Sequence, residues 1–171
     1  YTLSEAILFS NAIETAVYAR FSEFAPRLDL CRLVVTRKLV ILSREAGAVV
    51  NQSDVDKKLF IPQKYFDGTL DEFWKNIDEM DASFEERRKE LAKEGKKLRF
   101  VASYNKGKCE VGLREVESGH PFYDLEGSNN IIMISTERYN EYPMVIKGYG
   151  AGASVTAAGV FSDIISIANI R

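Results

Sequence analysis

Between Tyr142 and Ile170 a short apolar run, three closely spaced glycines and a long apolar stretch follow one another. That order constrains the fold more than any other feature of the chain. Tyr142-Pro143-Met144-Val145-Ile146 reads as a short, fully buried strand. Lys147-Gly148-Tyr149-Gly150-Ala151-Gly152 then turns the backbone, and Val155 to Ile170 carries one internal charge, Asp163. A helix so apolar is expected to be packed on several sides. Glycines between a strand and a helix serve either tight packing or the approach of a ligand to main-chain N–H groups. Both readings are open from this stretch alone. The spacing G-x-G-x-G differs from the G-x-G-x-x-G dinucleotide fingerprint and does not support that motif.

A chain of 171 residues, 46% of them hydrophobic, suits one domain with a real core. Its net charge of −2 provides no basic field for nucleic acid. The basic runs Arg87-Arg88-Lys89 and Lys96-Lys97 are diluted by glutamates and read as solvated helix faces or ends. Cys31 and Cys109 fit no metal-ligand spacing and read as free thiols of a reduced, cytoplasmic compartment. His120, between Gly119 and Pro121, reads as a loop residue, so no metal site is expected. No apolar run is long enough to span a bilayer, and no signal peptide stands at the start. The chain begins at Tyr1 without a methionine, compatible with a domain of something longer.

Thr2-Leu3-Ser4-Glu5 has a capping-box pattern and opens a helix to about Phe21, with Leu3, Ala6, Ile7, Ile13, Val17 and Phe21 as its apolar stripe. Pro26 ends it. A second helix runs from Arg27 or Asp29 to Glu45, with Gly47 as its stop. Ser53 to Asp56 reads as a helical turn and Lys58-Leu59-Phe60-Ile61 as a strand closed by Pro62. Thr69-Leu70-Asp71-Glu72 is another capping box, followed by Phe73, Ile77, Met80 and Phe84 at helical spacing and a charged helix to Gly95. Leu98 to Tyr104 and Cys109 to Arg114, joined through Asn105-Lys106-Gly107-Lys108, form an antiparallel hairpin. Asn130 to Ser135 and Met144 to Lys147 add two buried strands. The fold expected is α/β (α+β): a mixed β-sheet with helices packed on it as a two-layer sandwich.

Lys38 is the oddity of the second helix. Val34, Val35, Ile41 and Leu42 occupy its i±3 and i±4 positions. Arg37 is nearly as surrounded, so periodicity does not choose between them. Such a lysine either snorkels to water or faces a cleft as a partly desolvated ammonium suited to proton transfer.

Four separated stretches resemble the homoserine dehydrogenase family: Ser4-Glu5-Ala6; Pro26-Arg27-Leu28-Asp29-Leu30 through Arg37-Lys38 to Ala46-Gly47; Gly95 to Val101; and the late glycine turn with Val155-Thr156-Ala157-Ala158-Gly159. Gly95-Lys96-Lys97-Leu98-Arg99 is most similar to the bifunctional aspartokinase–homoserine dehydrogenases. The resemblance implies NAD(P)H-dependent reduction of L-aspartate 4-semialdehyde to L-homoserine, toward threonine and methionine. It implies Lys38 as the proton donor or acceptor, Glu23 and Asp29 as holders of the substrate ammonium, and Gly148, Gly150 and Gly152 at the cofactor, NADP or NAD. It also implies a homodimer, a nucleotide-binding Rossmann half absent from this chain, and an aspartokinase domain in cis. Residues 148–171 would pack on that missing half; alone, they would leave apolar surface uncovered. Three positions depart from the family pattern. Phe24-Ala25-Pro26-Arg27 stands for Pro-Asp-Pro-Arg, Val34 for a second aspartate and Arg32 for a glycine. These departures support an alternative, a non-catalytic oligomerisation or scaffold domain of the same descent.

Overall fold

The computed structural model describes residues 7–18, 30, 33–58, 60–127, 129–150 and 152–170. The Thr2–Glu5 capping box, Phe21, Glu23, Pro26, Asp29, Cys31 and Arg32 lie outside them. The chain divides into two compact units, residues 2–123 and 124–171.

In the first unit, α1 spans Phe9–Tyr18, α2 Leu33–Glu45, α3 Leu70–Ile77 and α4 Asp81–Lys93. Strands β1 (Val55–Lys57), β2 (Lys96–Asn105) and β3 (Lys108–Glu117) form one sheet in the order β1-β3-β2. β1 runs parallel to β3 and β2 antiparallel to it. The second unit pairs β4 (Asn129–Ile134) antiparallel with β5 (Met144–Tyr149), followed by α5 (Ala153–Ala168). The mixed α/β class and its mixed sheet are those expected, with the strands divided between two sheets.

Local chemistry sets most boundaries. At α3, Thr69 Oγ1 accepts from the Glu72 N–H while the Glu72 carboxylate accepts from the Thr69 N–H, which satisfies two otherwise orphan donors. At the end of α2, Gly47 adopts φ +86°. There the Ala48 N–H reaches the Ser43 carbonyl and the Gly47 N–H the Arg44 carbonyl, the paired bonds of a Schellman stop. The β2–β3 hairpin turns on Lys106 (φ +46°) and Gly107 (φ +84°), the two left-handed positions of a type I′ turn. α1 carries no acid of its own in its first turn; the Asp81 carboxylate, from α4, accepts the Ser10 N–H at 2.8 Å and hydroxyl at 2.7 Å.

Two cores result. Phe9 and Ile13 of α1 meet Ile61, Tyr65, Phe73, Ile77 and Met80 in a helical core. Leu39 and Val40 of α2 pack on Val50, Val55, Cys109 and Val111, which places α2 across the three-stranded sheet. Each fully buried large side chain contributes about 1.5–3 kcal/mol by leaving water.

Several expectations are corrected. The strand foreseen at Lys58–Ile61 is instead β1, at Val55–Lys57. Ile61 is committed to the helical core and Phe60 stacks edge-on against Phe84 and Phe100, so these side chains do not alternate across a sheet. In α1, Phe9 and Ile13 are buried whereas Ile7, ahead of the helix, is exposed. Asn130–Ser135 and Tyr142–Ile146 were expected to be buried: β4 alternates half-buried with exposed residues, and no residue of β5 is buried. α5, expected to be packed on several sides, has no buried residue. An apolar run records that a surface suits burial; among the described residues nothing covers this one.

Candidate functional site

α2 is apolar on two sides, and only one side is used. Thr36, Leu39, Val40 and Ser43, at i, i+3, i+4 and i+7, are buried against the sheet. Val35 joins that core and Val34 is half-buried. On the other side Lys38 is exposed beside Ile41 and Leu42, which are 60% and 48% exposed. The exposed setting of Lys38 accords with the snorkelling alternative; the described residues do not desolvate it. Arg37 is also exposed. Glu23 and Asp29 lie outside the described residues, so only Lys38 of the acid–base and substrate trio has a described position.

The glycine turn belongs to the second unit. Gly148 lies within β5, and Gly152 adopts φ +134° immediately before α5. A side chain at Gly148 or Gly152 would meet nothing within 4 Å, so both backbones are open to a ligand. Gly150 is different: its backbone packs against the Asn130 carboxamide. No side chain caps α5, while Thr156 turns its N–H and hydroxyl back to the Gly152 carbonyl, each at 3.1 Å.

Other candidates resolve as ordinary structure. His120 Nδ1 accepts the Phe122 N–H at 3.1 Å, and its ring packs edge-on against Phe122, a loop role as expected. Cys109 is buried, with its sulfur 3.9 Å from Ser43 Oγ. Arg87, Arg88 and Lys96 are paired with Glu115, Glu85 and Glu94, so the basic runs are surface ion pairs. Arg88 hydrogen bonds hold the Glu85 carboxyl well down, to about 2. The described residues contain no group of three or more His, Cys, Asp or Glu side chains able to hold a metal. No described helix is long and apolar enough to cross a membrane. Two open grooves, about 550 and 370 Å³, flank α4; neither is lined by Lys38 or the glycines.

Sequence reasoning missed Arg99. It sits in β2, is 6% exposed, and donates to the Phe122 carbonyl at 2.7 Å and to the Tyr123 carbonyl. Lys97, two residues earlier, places its ammonium 4.1 Å from the Tyr123 ring centroid. The signal was available: Lys97, Arg99 and Val101 share one face of the strand, so one face had to absorb two cations.

Comparison with known proteins gives one answer. The homoserine dehydrogenase family matches residues 2–165. A bifunctional aspartokinase/homoserine dehydrogenase of Haemophilus influenzae is 38% identical over 95% of this chain and 20% of its own length. The homoserine dehydrogenase of Schizosaccharomyces pombe is 40% identical over 93% of this chain and 43% of its own. Among solved structures, a Candida auris protein of unknown function aligns at TM-score 0.83 and 36% identity, over 97% of this chain and 47% of its own. A Staphylococcus aureus homoserine dehydrogenase shares the fold at TM-score 0.68 and 21% identity, over 98% and 39%. The chain thus spans less than half of the length of these curated relatives. With the match running across nearly all of its length, the chain belongs to the homoserine dehydrogenase family of oxidoreductases.

Proposed function

We propose that this chain is the substrate-binding and catalytic part of a cytoplasmic homoserine dehydrogenase. It would interconvert L-aspartate 4-semialdehyde and L-homoserine in threonine and methionine synthesis, with NADH or NADPH as the hydride carrier. One observation carries the reading. α2 is fixed to the core by Thr36, Leu39, Val40 and Ser43, and so presents Lys38 from a rigid support, flanked by the uncovered apolar side chains Ile41 and Leu42. A lysine held this way becomes a desolvated acid once a second wall closes over it. That wall would be the nucleotide-binding half of a longer chain.

When bound, the nicotinamide supplies hydride to the aldehyde carbon. Lys38 would give its proton to the oxygen that becomes the alcohol, and would take it back in the reverse direction. Glu23 and Asp29 would hold the substrate ammonium, and Gly148 and Gly152 would let the cofactor approach the main chain, with Gly150 between them packed on Asn130. The H. influenzae relative is named for both aspartokinase and homoserine dehydrogenase, which supports an aspartokinase region in cis. A homodimer is part of the same proposal.

A second reading, a non-catalytic scaffold, is favoured by Val34. It is half-buried and carries no carboxylate one helical turn before Lys38, where the family pattern has aspartate. The test uses full-length protein with its nucleotide-binding half, assayed for oxidation of homoserine. Lys38→Ala is expected to lower kcat about 10²- to 10⁴-fold with cofactor affinity unchanged. Val34→Asp is expected to raise turnover. No turnover by the wild-type protein, or equal turnover by Lys38→Ala, overturns the catalytic reading and leaves the scaffold.

A further inference from the structure

The three glycines of the turn differ in their surroundings. Gly152 has a left-handed backbone, φ +134°, which disfavours side chains whatever the space around it. Gly148 has open space around it. Gly150 has neither a positive φ nor open space. A Cβ placed there would fall on the carboxamide of Asn130, 2.7 Å from Oδ1 and closer still to Cγ and Nδ2. At position 150 the volume a Cβ would take is filled by the end of the Asn130 side chain.

Strand pairing explains how the two meet. Asn130 of β4 stands opposite Gly148 of β5, and Gly150 lies two residues further along. Residues two apart on a strand share a face, so Asn130 reaches Gly150 diagonally along the ladder. Asn130 is exposed, and among the described residues its side chain makes no hydrogen bond. Its carboxamide lies on the backbone where the chain leaves the sheet. Among the described residues, α5 has no side-chain cap and no buried residue to fasten the far side of the turn.

We propose that Asn130 is the positioning residue of the glycine turn. Its carboxamide packs on the Gly150 backbone, holds the exit from β5, and so sets where the Gly152 backbone meets a nicotinamide dinucleotide. This rests on the function proposed above. Asn130 itself touches no reacting atom. Its side chain is short, so a methyl group at position 150 would rotate the carboxamide away. Gly150→Ala and Asn130→Ala therefore remove one and the same contact.

The test is a double-mutant cycle in the full-length protein: Asn130→Ala, Gly150→Ala and the pair. Amide hydrogen exchange over residues 150–156, measured without cofactor, reports the turn directly. Steady-state kinetics with NADP+ and homoserine report its consequence. Each single variant is expected to speed exchange across the turn and to raise the KM for the dinucleotide roughly ten- to a hundredfold, with the KM for homoserine unchanged. The double variant is expected to lose no more than either single one. Unchanged exchange in Asn130→Ala, or additive losses in the double variant, overturns the proposal. Faster exchange with an unaltered dinucleotide KM also overturns it, because the turn would then not govern cofactor binding. If the wild-type full-length protein shows no turnover, the proposed function fails, while hydrogen exchange still decides whether Asn130 holds the turn.

Discussion

Residues 60–80 and residues 144–167 are both rich in large apolar side chains, yet they end in opposite environments. Ile61, Phe73 and Ile77 are wholly inaccessible to solvent. Phe161, Ile164 and Ile167 are 63%, 55% and 69% exposed. The difference does not come from hydrophobicity; it comes from pattern and partners. In α3 the apolar residues Phe73 and Ile77 lie one turn apart, opposite the charges Asp71, Glu72 and Lys75, so one face has a defined destination. In α5 apolar residues occupy every side, and the helix has no preferred face to bury within the chain. Apolar content alone does not decide what is core. An exposed surface of this kind marks an interaction site or an aggregation liability.

The largest expected effect breaks or confirms this contrast directly. Phe73→Ala is expected to cost about 3–5 kcal/mol, because it removes a fully buried ring and leaves a cavity among Ile61, Ile77 and Trp74. Phe161→Ala, the same chemical change, is expected to shift the stability of this chain by no more than about 0.5 kcal/mol. Urea unfolding of both variants of the 171-residue chain measures the difference. Equal losses would mean that α5 is buried in solution and that the contrast is false.

A smaller effect concerns the other core of the first unit. Thr36 is fully buried on α2, and its hydroxyl has no hydrogen-bond partner among the described residues. A buried polar group left unpaired costs about 1–3 kcal/mol. Valine has the same shape without that group, so Thr36→Val is expected to raise stability by about 1 kcal/mol. It should leave the hydrogen exchange of α5 untouched, since α5 belongs to the other unit. A loss of stability would show that the hydroxyl is satisfied in solution.

Local signals were the legible part of this chain. The capping box at Thr69, the glycine stop at Gly47 and the hairpin through Lys106-Gly107 all rest on chemistry within a few residues, and each stands where expected. Phe73, Ile77 and Met80 were legible as core for the same reason. The misses needed knowledge of what lies across space. β5 and α5 are apolar in sequence, yet no described residue covers them, and apolar content alone does not reveal that. Arg99 reads as an exposed strand cation until the carbonyls of Phe122 and Tyr123 arrive to take its donors. For the candidate site, Lys38 was legible as an anomaly on an apolar helix, and the resemblance gave it a role. Periodicity did not tell that the face bearing Lys38 stays open while the opposite face seals against the sheet. Gly150 was legible only as one of three glycines; its pairing with Asn130 appears once β4 and β5 are in register.

The smallest expected effect concerns the surface of α4, which carries an ion pair within the helix. The Arg88 guanidinium donates to both Glu85 carboxylate oxygens, at 2.6 and 2.8 Å, and Lys89 lies 3.4 Å away. The Arg88 hydrogen bonds are the main cause that brings the Glu85 carboxyl from its ordinary 4.5 down to about 2, with burial opposing. A carboxyl depressed in the folded state stabilises above its unfolded value and loses that contribution as pH falls through the folded value. Acid unfolding of the chain should therefore include a component from Glu85 between about pH 4.5 and 2. Glu85→Gln should flatten that part of the stability-versus-pH curve, followed by circular dichroism, so that the two proteins differ at neutral pH and converge near pH 2, by a small amount because the pair is near the surface. Salt at 1 M should reproduce part of the flattening by screening. A curve unchanged in the variant would show that Arg88 does not hold Glu85 in solution.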